Sequence, residues 1–360
     1  MSATAPSHRP RRHSTPPLQS SEAATGPSKS RIQVWVWGVV LVGIAIIAVG
    51  FVWNPFAANR DPLQATLAAR SVVPKEYDPA RAFGFLEQTC AIGPRVSGTA
   101  GMVRQQEMLT KFFEAEGAEV ELQTFAARHP ETGEVLTLGN LIARFRPAAA
   151  KRFLICAHYD TRPFPDQDPI DPKGEFIGAN DGASGVAGLM ELSLRASEWP
   201  ADIGVDLVLF DGEELVYDGN RDPYFLGSTH FAQEYLAAKD APRYQSGVLL
   251  DMIADAEQHL FIEQNSWRYA RPVVRQVWGT AARLRVQTFK NRIVHEVRDD
   301  HLPLNTIAKI PTIDIIDFDY PRPTRSGPSY WHTRQDVPAN CSGQSIVNVV
   351  YVVDQWLKSM

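Results

Sequence analysis

Residues 153–160 read FLICAHYD, a five-residue apolar run, Phe153–Ala157, with a histidine and an aspartate at its carboxyl end. So short and continuous a run suits a strand buried on both faces of a sheet. Working outward, similar runs occur at Asn140–Phe145, Val205–Phe210, Val248–Leu250 and Pro311–Ile316. Helical stretches lie between or beside them: Arg104–Glu116, closed by Gly117 as a C′ glycine, then Ser184–Ser197, Gly227–Ala238, Arg271–Leu284 and Ser345–Leu357. The alternation predicts an α/β domain with a largely parallel sheet.

In open α/β sheets ligands bind beyond the carboxyl ends of the strands, so the residues that follow each strand matter most. His158, Tyr159 and Asp160 follow the first run, and Asp211, Gly212, Glu213 and Glu214 follow Val205–Phe210. Asp251 follows Val248–Leu250, and Pro311–Ile316 leads through a Pro-rich loop to Trp331 and His332. The stretch IGANDGASG delivers Asp181 just ahead of the helix that begins near Ser184. Singly, each has an ordinary explanation: a hydrogen-bonded core histidine, a helix N-cap, a solvated turn. Together, several carboxylates brought to one place repel and lose hydration unless a cation neutralises them. Cys90, Cys156 and Cys341 are too few and too scattered for a thiolate cluster or a disulfide framework. The remaining His and carboxylate donors suit catalytic zinc, three protein ligands leaving one position open. Neighbouring residues leaving a strand point to opposite sides, so one of Glu213 and Glu214 binds and the other is free to move protons.

The blocks HYD (158–160), GANDGASGVAGLMEL (178–192), FDGEE (210–214) with LGS (226–228), LLDM (249–252) and YWHT (330–333), together with GPRVSG (93–98), carry a resemblance. Over roughly residues 75–358 the chain resembles the zinc exopeptidase family of bacterial leucyl aminopeptidases and glutaminyl-peptide cyclotransferases. The resemblance implies a central mixed, largely parallel twisted sheet flanked by helices. It makes Asp181, Glu214 and His332 ligands of one zinc, with Glu213 as proton shuttle. In two-zinc members Asp181 bridges, and the residues matching His158 and Asp251 complete the second ion; Asp160 would orient His158. One ion or two stays open.

Three features lean toward the cyclotransferases. A long insertion separates Glu214 from Gly227; DDHLPL (299–304) resembles the block whose first acid, Asp299, would hydrogen-bond Asp251; and Trp331 matches an aromatic wall of the substrate pocket. Against them, GANDGASG is closer to ordinary peptidases, and the insertion lacks a tryptophan, Tyr217 being its nearest aromatic and a candidate substrate contact. The loop DYPRPTRSGPSY (319–330) is also longer than in that branch. The expected activity is cyclisation of an N-terminal glutamine to pyroglutamate with loss of ammonia. Hydrolysis of the first peptide bond by a metallo-aminopeptidase is the alternative, and an inactive ectodomain kept as a binding surface is a third. Both reactions take peptide or protein N-termini as substrate, and Asp251 and Asp299 supply acid groups near the substrate amine.

With 360 residues, 44% hydrophobic and 21% charged, the composition excludes collagen-like, wholly disordered and multi-span membrane classes. Residues 1–31 carry Arg9, Arg11, Arg12, Lys29 and Arg31 against the single acid Glu22, which leaves 31 basic and 40 acidic residues beyond them. So acidic a body offers no basic face for nucleic acid. Residues 1–31 read as a disordered basic tail. Val34–Trp53, VWVWGVVLVGIAIIAVGFVW, has no charge and is long enough to cross the roughly 30 Å of a bilayer's hydrocarbon as a helix. A buried core helix seldom runs this long without a polar face, and bulky residues stand where a signal peptidase needs small ones. The expected organisation is a cytoplasmic tail (1–31), a transmembrane anchor (32–53), a linker (54–74) and an extracytoplasmic catalytic domain (75–360), oriented by the positive-inside rule. Asp166, Asp168, Asp171 and Glu175 read as a solvated loop, Asp314, Asp317 and Asp319 as sheet-edge or loop residues, and Cys156 as a structural thiol.

Overall fold

The computed structural model describes residues 72–239, 242–318 and 329–360, all within one compact unit. The tail and anchor expected over 1–53 lie outside the described residues. Among the described residues no helix is long and apolar enough to cross a membrane. The order begins with helices α1 (Pro79–Cys90) and α2 (Ala100–Ala115), then strands β1 (Glu119–Arg128), β2 (Val135–Phe145) and β3 (Lys151–His158). It continues through α3 (Ala183–Ser193), β4 (Ile203–Phe210), α4 (Leu226–Ala237) and β5 (Tyr244–Asp251). The remaining elements are β6 (Leu260–Ile262), α5 (Gln264–Tyr269), α6 (Arg271–Leu284), β7 (Phe289–Ile293), α7 (His301–Thr306), β8 (Thr312–Ile316) and α8 (Gly343–Leu357).

Six strands form the main sheet in the order β1-β2-β4-β3-β5-β8, while β6 and β7 pair separately. The β1–β2 and β2–β4 pairs are antiparallel, whereas the β4–β3, β3–β5 and β5–β8 pairs are parallel, so the sheet is mixed. Successive side chains on a strand point to opposite faces. In β3, Phe153, Ile155 and Ala157 accordingly join one apolar cluster with Leu189 and Val353, and Leu154 and Cys156 join the other with Phe231 and Leu304. Helices α1, α3, α6 and α8 supply the first cluster, α4 and α7 the second. Every residue of β4 is buried, which explains why its sequence shows an apolar run instead of alternation, broken only at Asp206, whose carboxylate is paired with Arg152.

The sequence reading missed β1, β6, β7, α1, α5 and α7. β1, EVELQTFAAR, is an edge strand with no buried residue and so carries little apolar signal. At six residues each, α5 and α7 are too short to display a helical period. The helix expected to reach Ser197 stops at Ser193 and is followed by a separate 3₁₀ turn, Ala196–Glu198.

Candidate active site

His158 is the last residue of β3 and Asp251 the last of β5, so two of the expected groups leave adjacent parallel strands at the same edge. β4 ends one residue before Asp211, and Gly212 (φ +78°) turns the chain sharply; a Cβ there would lie 2.7 Å from Leu138. That turn brings Glu213 and Glu214 back over the sheet edge. Gly182 (φ +94°) plays the same part between Asp181 and α3, its missing Cβ leaving room for the Asp160 carbonyl 2.8 Å away. Asp181 does not cap α3 with its side chain, which removes the ordinary explanation for it. Met252 (φ 46°) and His332 (φ 53°) hold left-handed backbone without being glycine, a costly conformation of the kind that concentrates at functional sites.

These turns bring Asp181, Glu214 and His332 into one buried group and His158, Asp181 and Asp251 into another, with candidate ligand atoms inside 4.8 Å of one another in each. Nε2 of His332 lies 3.3 Å from Asp181 Oδ2 and 3.5 Å from Glu214 Oε1. Nε2 of His158 lies 3.2 Å from Asp181 Oδ1 and 3.1 Å from Asp251 Oδ1. Asp181 thus shows one oxygen to each group. Glu214 Oε2 is buried and has no hydrogen-bond partner among the described residues. A carboxylate oxygen left unpaired in low dielectric is costly, and a divalent ion is the partner this donor set fits. The two groups fit zinc, with imidazole and carboxylate donors and no thiolate.

Glu213 is buried outside both ligand groups. Burial, then the neighbouring Glu214 carboxylate, push its carboxyl well above the ordinary range, with the His158 imidazole pulling the other way. A carboxyl buried beside the ligand groups is placed to accept and return a proton. Asp160 holds this loop, accepting from the amides of Glu213 at 3.2 Å and Glu214 at 2.9 Å and from the Ser97 hydroxyl at 3.2 Å. Its Oδ1 also lies 3.7 Å from Nδ1 of His158, an ion-pair distance longer than a hydrogen bond, so the carboxylate that holds the turn also faces the imidazole it was expected to orient.

Asp299 lies close enough to Asp251 for their charges to interact: burial, then Asp251, push its carboxyl up to about 7. Asp299 Oδ1 accepts from the Asp300 amide at 2.5 Å, and Oδ2 is buried with no recorded hydrogen-bond partner among the described residues. Asp314 lies on β8, an edge strand of the main sheet as expected, yet it is fully buried and groups with Asp299 and His301. Trp331 stacks on the His332 imidazole with centroids 3.8 Å apart and meets Phe318 edge-on at 5.4 Å, forming a wall beside that ligand. Tyr217 turns elsewhere: its hydroxyl is 3.0 Å from His129 Nε2 at the β1–β2 hairpin, and its ring packs edge-on to Phe164.

Sequence reasoning missed Arg162, Asp166 and Asp336. Asp336 accepts from the amides of Asn180 and Asp181 at 2.7 and 3.0 Å and fixes the turn that presents Asp181. The loop read as solvated is only partly so, since Asp168 is buried and accepts from the amides of Ile170, Asp171 and Arg334. Asp166 lies 3.4 Å from His332. An arginine two residues after Asp160 and four before Asp166 was the available signal for Arg162, but its other partner, Glu214, is 52 residues away.

Residues 140–357 match the family model described as peptidase family M28. Among solved structures, the glutaminyl cyclase of Fimbriiglobus ruber is 41% identical with a TM-score of 0.74, the match covering 79% of this chain and 95% of that one. A Zn-dependent exopeptidase from Parabacteroides distasonis is 30% identical with a TM-score of 0.71, covering 80% of this chain and 100% of that one. The glutaminyl-peptide cyclotransferase-like protein of Mus musculus is 27% identical over 352 residues, 88% of this chain and 87% of its own length.

Proposed function

The chain belongs to peptidase family M28, and from that premise we propose that it is a zinc-dependent glutaminyl cyclase acting on peptide N-termini. The observation that carries this reading is the convergence of Asp181, Glu214 and His332 in one buried group, with Glu213 buried outside it and Trp331 stacked on the histidine. The similarity to the Fimbriiglobus ruber glutaminyl cyclase supports the cyclase branch.

Zinc held by Asp181, Glu214 and His332 would supply Lewis-acid polarisation of the carbonyl under attack. Glu213 takes a proton from the substrate α-amine as that nitrogen bonds to the side-chain amide carbon, and returns it to the departing nitrogen, which leaves as ammonia. The buried acids Asp251 and Asp299 hold the amine, and Trp331 packs against the substrate side chain. The attack is intramolecular, so orientation within a tight pocket supplies much of the acceleration.

Aminopeptidase activity is the second reading, favoured by the His158–Asp181–Asp251 group, whose residues would hold a second ion. Here Glu213 deprotonates a water that attacks the first peptide bond. Incubation with a glutamine-initiated peptide and with leucine amide separates the two. Ammonia without chain shortening supports the cyclase, and free leucine supports the peptidase. Ammonia from neither substrate nor leucine release, in a zinc-loaded sample, refutes both. We also propose that residues 34–53 anchor the protein in a membrane with residues 1–31 cytoplasmic and the catalytic domain outside; the uncharged run and the basic leader support this.

A further inference from the structure

Resting on the zinc-dependent reading above, we propose that Arg162, acting with Asp166, is a positioning residue that sets two of the three metal ligands, Glu214 and His332, in place for the ion. Its guanidinium spans two carboxylates. Nη1 donates to Glu214 Oε1 at 2.9 Å, while Nε and Nη2 donate to the two oxygens of Asp166 at 2.8 and 3.2 Å. Asp166 Oδ1 in turn lies 3.4 Å from Nδ1 of His332. The side chains of Arg162 and Glu214 are each only 5% exposed, whereas that of Asp166 is 42% exposed.

Two effects follow. Tying Oε1 of Glu214 in advance leaves Oε2, which is buried and without a partner among the described residues, as the oxygen with coordinating capacity to spare. The side-chain freedom that a ligand loses on binding is then already lost before the ion arrives. Asp166 beside Nδ1 favours the tautomer with the proton there, which turns the lone pair of Nε2 toward Asp181 and Glu214. An arginine is required because its planar fork grips two carboxylates at once, where an ammonium acts as a single point of charge.

The charge of Arg162 opposes this, since a cation beside a ligand repels the metal. The test must therefore hold charge constant. Arg162→Lys keeps the positive charge and loses the fork, and Asp166→Asn loses the charged partner of His332. Zinc affinity of the full chain is measured by competition with a chromophoric chelator, and thermal unfolding of the metal-free protein serves as the control. Both variants are expected to bind zinc roughly ten- to a hundred-fold more weakly, the usual consequence of losing an outer-shell partner, with unchanged unfolding of the metal-free state. Zinc affinity of Arg162→Lys and Asp166→Asn equal to wild type overturns the proposal, because an electrostatic or merely structural role predicts that result for the lysine variant. Should Arg162→Lys fail to fold, Arg162→Gln decides: loss of the cation alone would tighten zinc binding, so weaker binding supports the positioning role and equal or tighter binding overturns it. A wild-type chain that binds no zinc sinks the functional reading itself, and this inference with it; normal zinc binding by wild type and variants alike sinks only the positioning role.

Discussion

Replacing Asp160 by asparagine probes how firmly the Glu213–Glu214 turn is held. Oδ2 accepts from the Glu214 amide and the Ser97 hydroxyl, and Oδ1 from the Glu213 amide. An asparagine with its carbonyl oxygen in the Oδ2 position keeps the first two and aims an NH2 at the third. One charge-assisted bond is lost, about 1.5–3 kcal/mol, and a buried donor is left unpaired, about 1–3 kcal/mol. Relief works the other way: Asp211 nearby has its carboxyl pushed up to about 7 by burial and then by the Asp160 charge. That relief is the smaller effect, because Ser97 at 2.6 Å and the Gly139 amide at 2.9 Å already stabilise the Asp211 carboxylate. The expected net loss is about 2–4 kcal/mol in urea unfolding. If the turn shifts by as much as about 1 Å, turnover should fall by about a hundred-fold as well. Unfolding within about 0.5 kcal/mol of wild type, the scatter of neutral surface changes, together with unchanged turnover would refute the role given to Asp160.

Glu213→Gln should lower turnover by roughly 10²–10⁴-fold while zinc content, measured by atomic absorption, stays at the wild-type level; retained activity removes its proton-transfer role. Gly182→Ala forces a side chain into left-handed backbone 2.8 Å from the Asp160 carbonyl and should cost about 1–3 kcal/mol or more in denaturant unfolding, a neutral result contradicting the strain argument. Glu263 is held at about 2: burial raises its carboxyl, but the His301 imidazole and the Asn265 and Ser266 amides outweigh it. Because its folded value lies below the ordinary 4.5, its stabilisation is present above that pH and lost as pH falls toward 2. Stability measured against pH should therefore lose part of its acid slope in Glu263→Gln, and an unchanged slope would count against the pairing.

The parts of the fold that were legible in the sequence are those whose burial leaves a mark on composition. β3 and β4 show as apolar runs because both faces are covered, and the polar groups ending β3, β4 and β5 point straight at the site. β1 was invisible because an edge strand without a buried residue has no apolar face to display. The ligand groups followed from a family resemblance and from the cost of gathering acids without a cation. Of their supports, Asp160 was read from the same resemblance, whereas Asp336, which reaches Asp181 across 155 residues of sequence, was not. Tyr217 was singled out as the nearest aromatic in an insertion, and chain proximity says nothing of whether a ring faces the site or a hairpin.

His332 is carried on the stretch after β8, the last strand of the sheet, while its partners begin with His158 on β3. A polypeptide emerging from the ribosome in order therefore carries an incomplete centre until that late stretch has been made and docked. Premature termination anywhere before it yields fragments without the full ligand set.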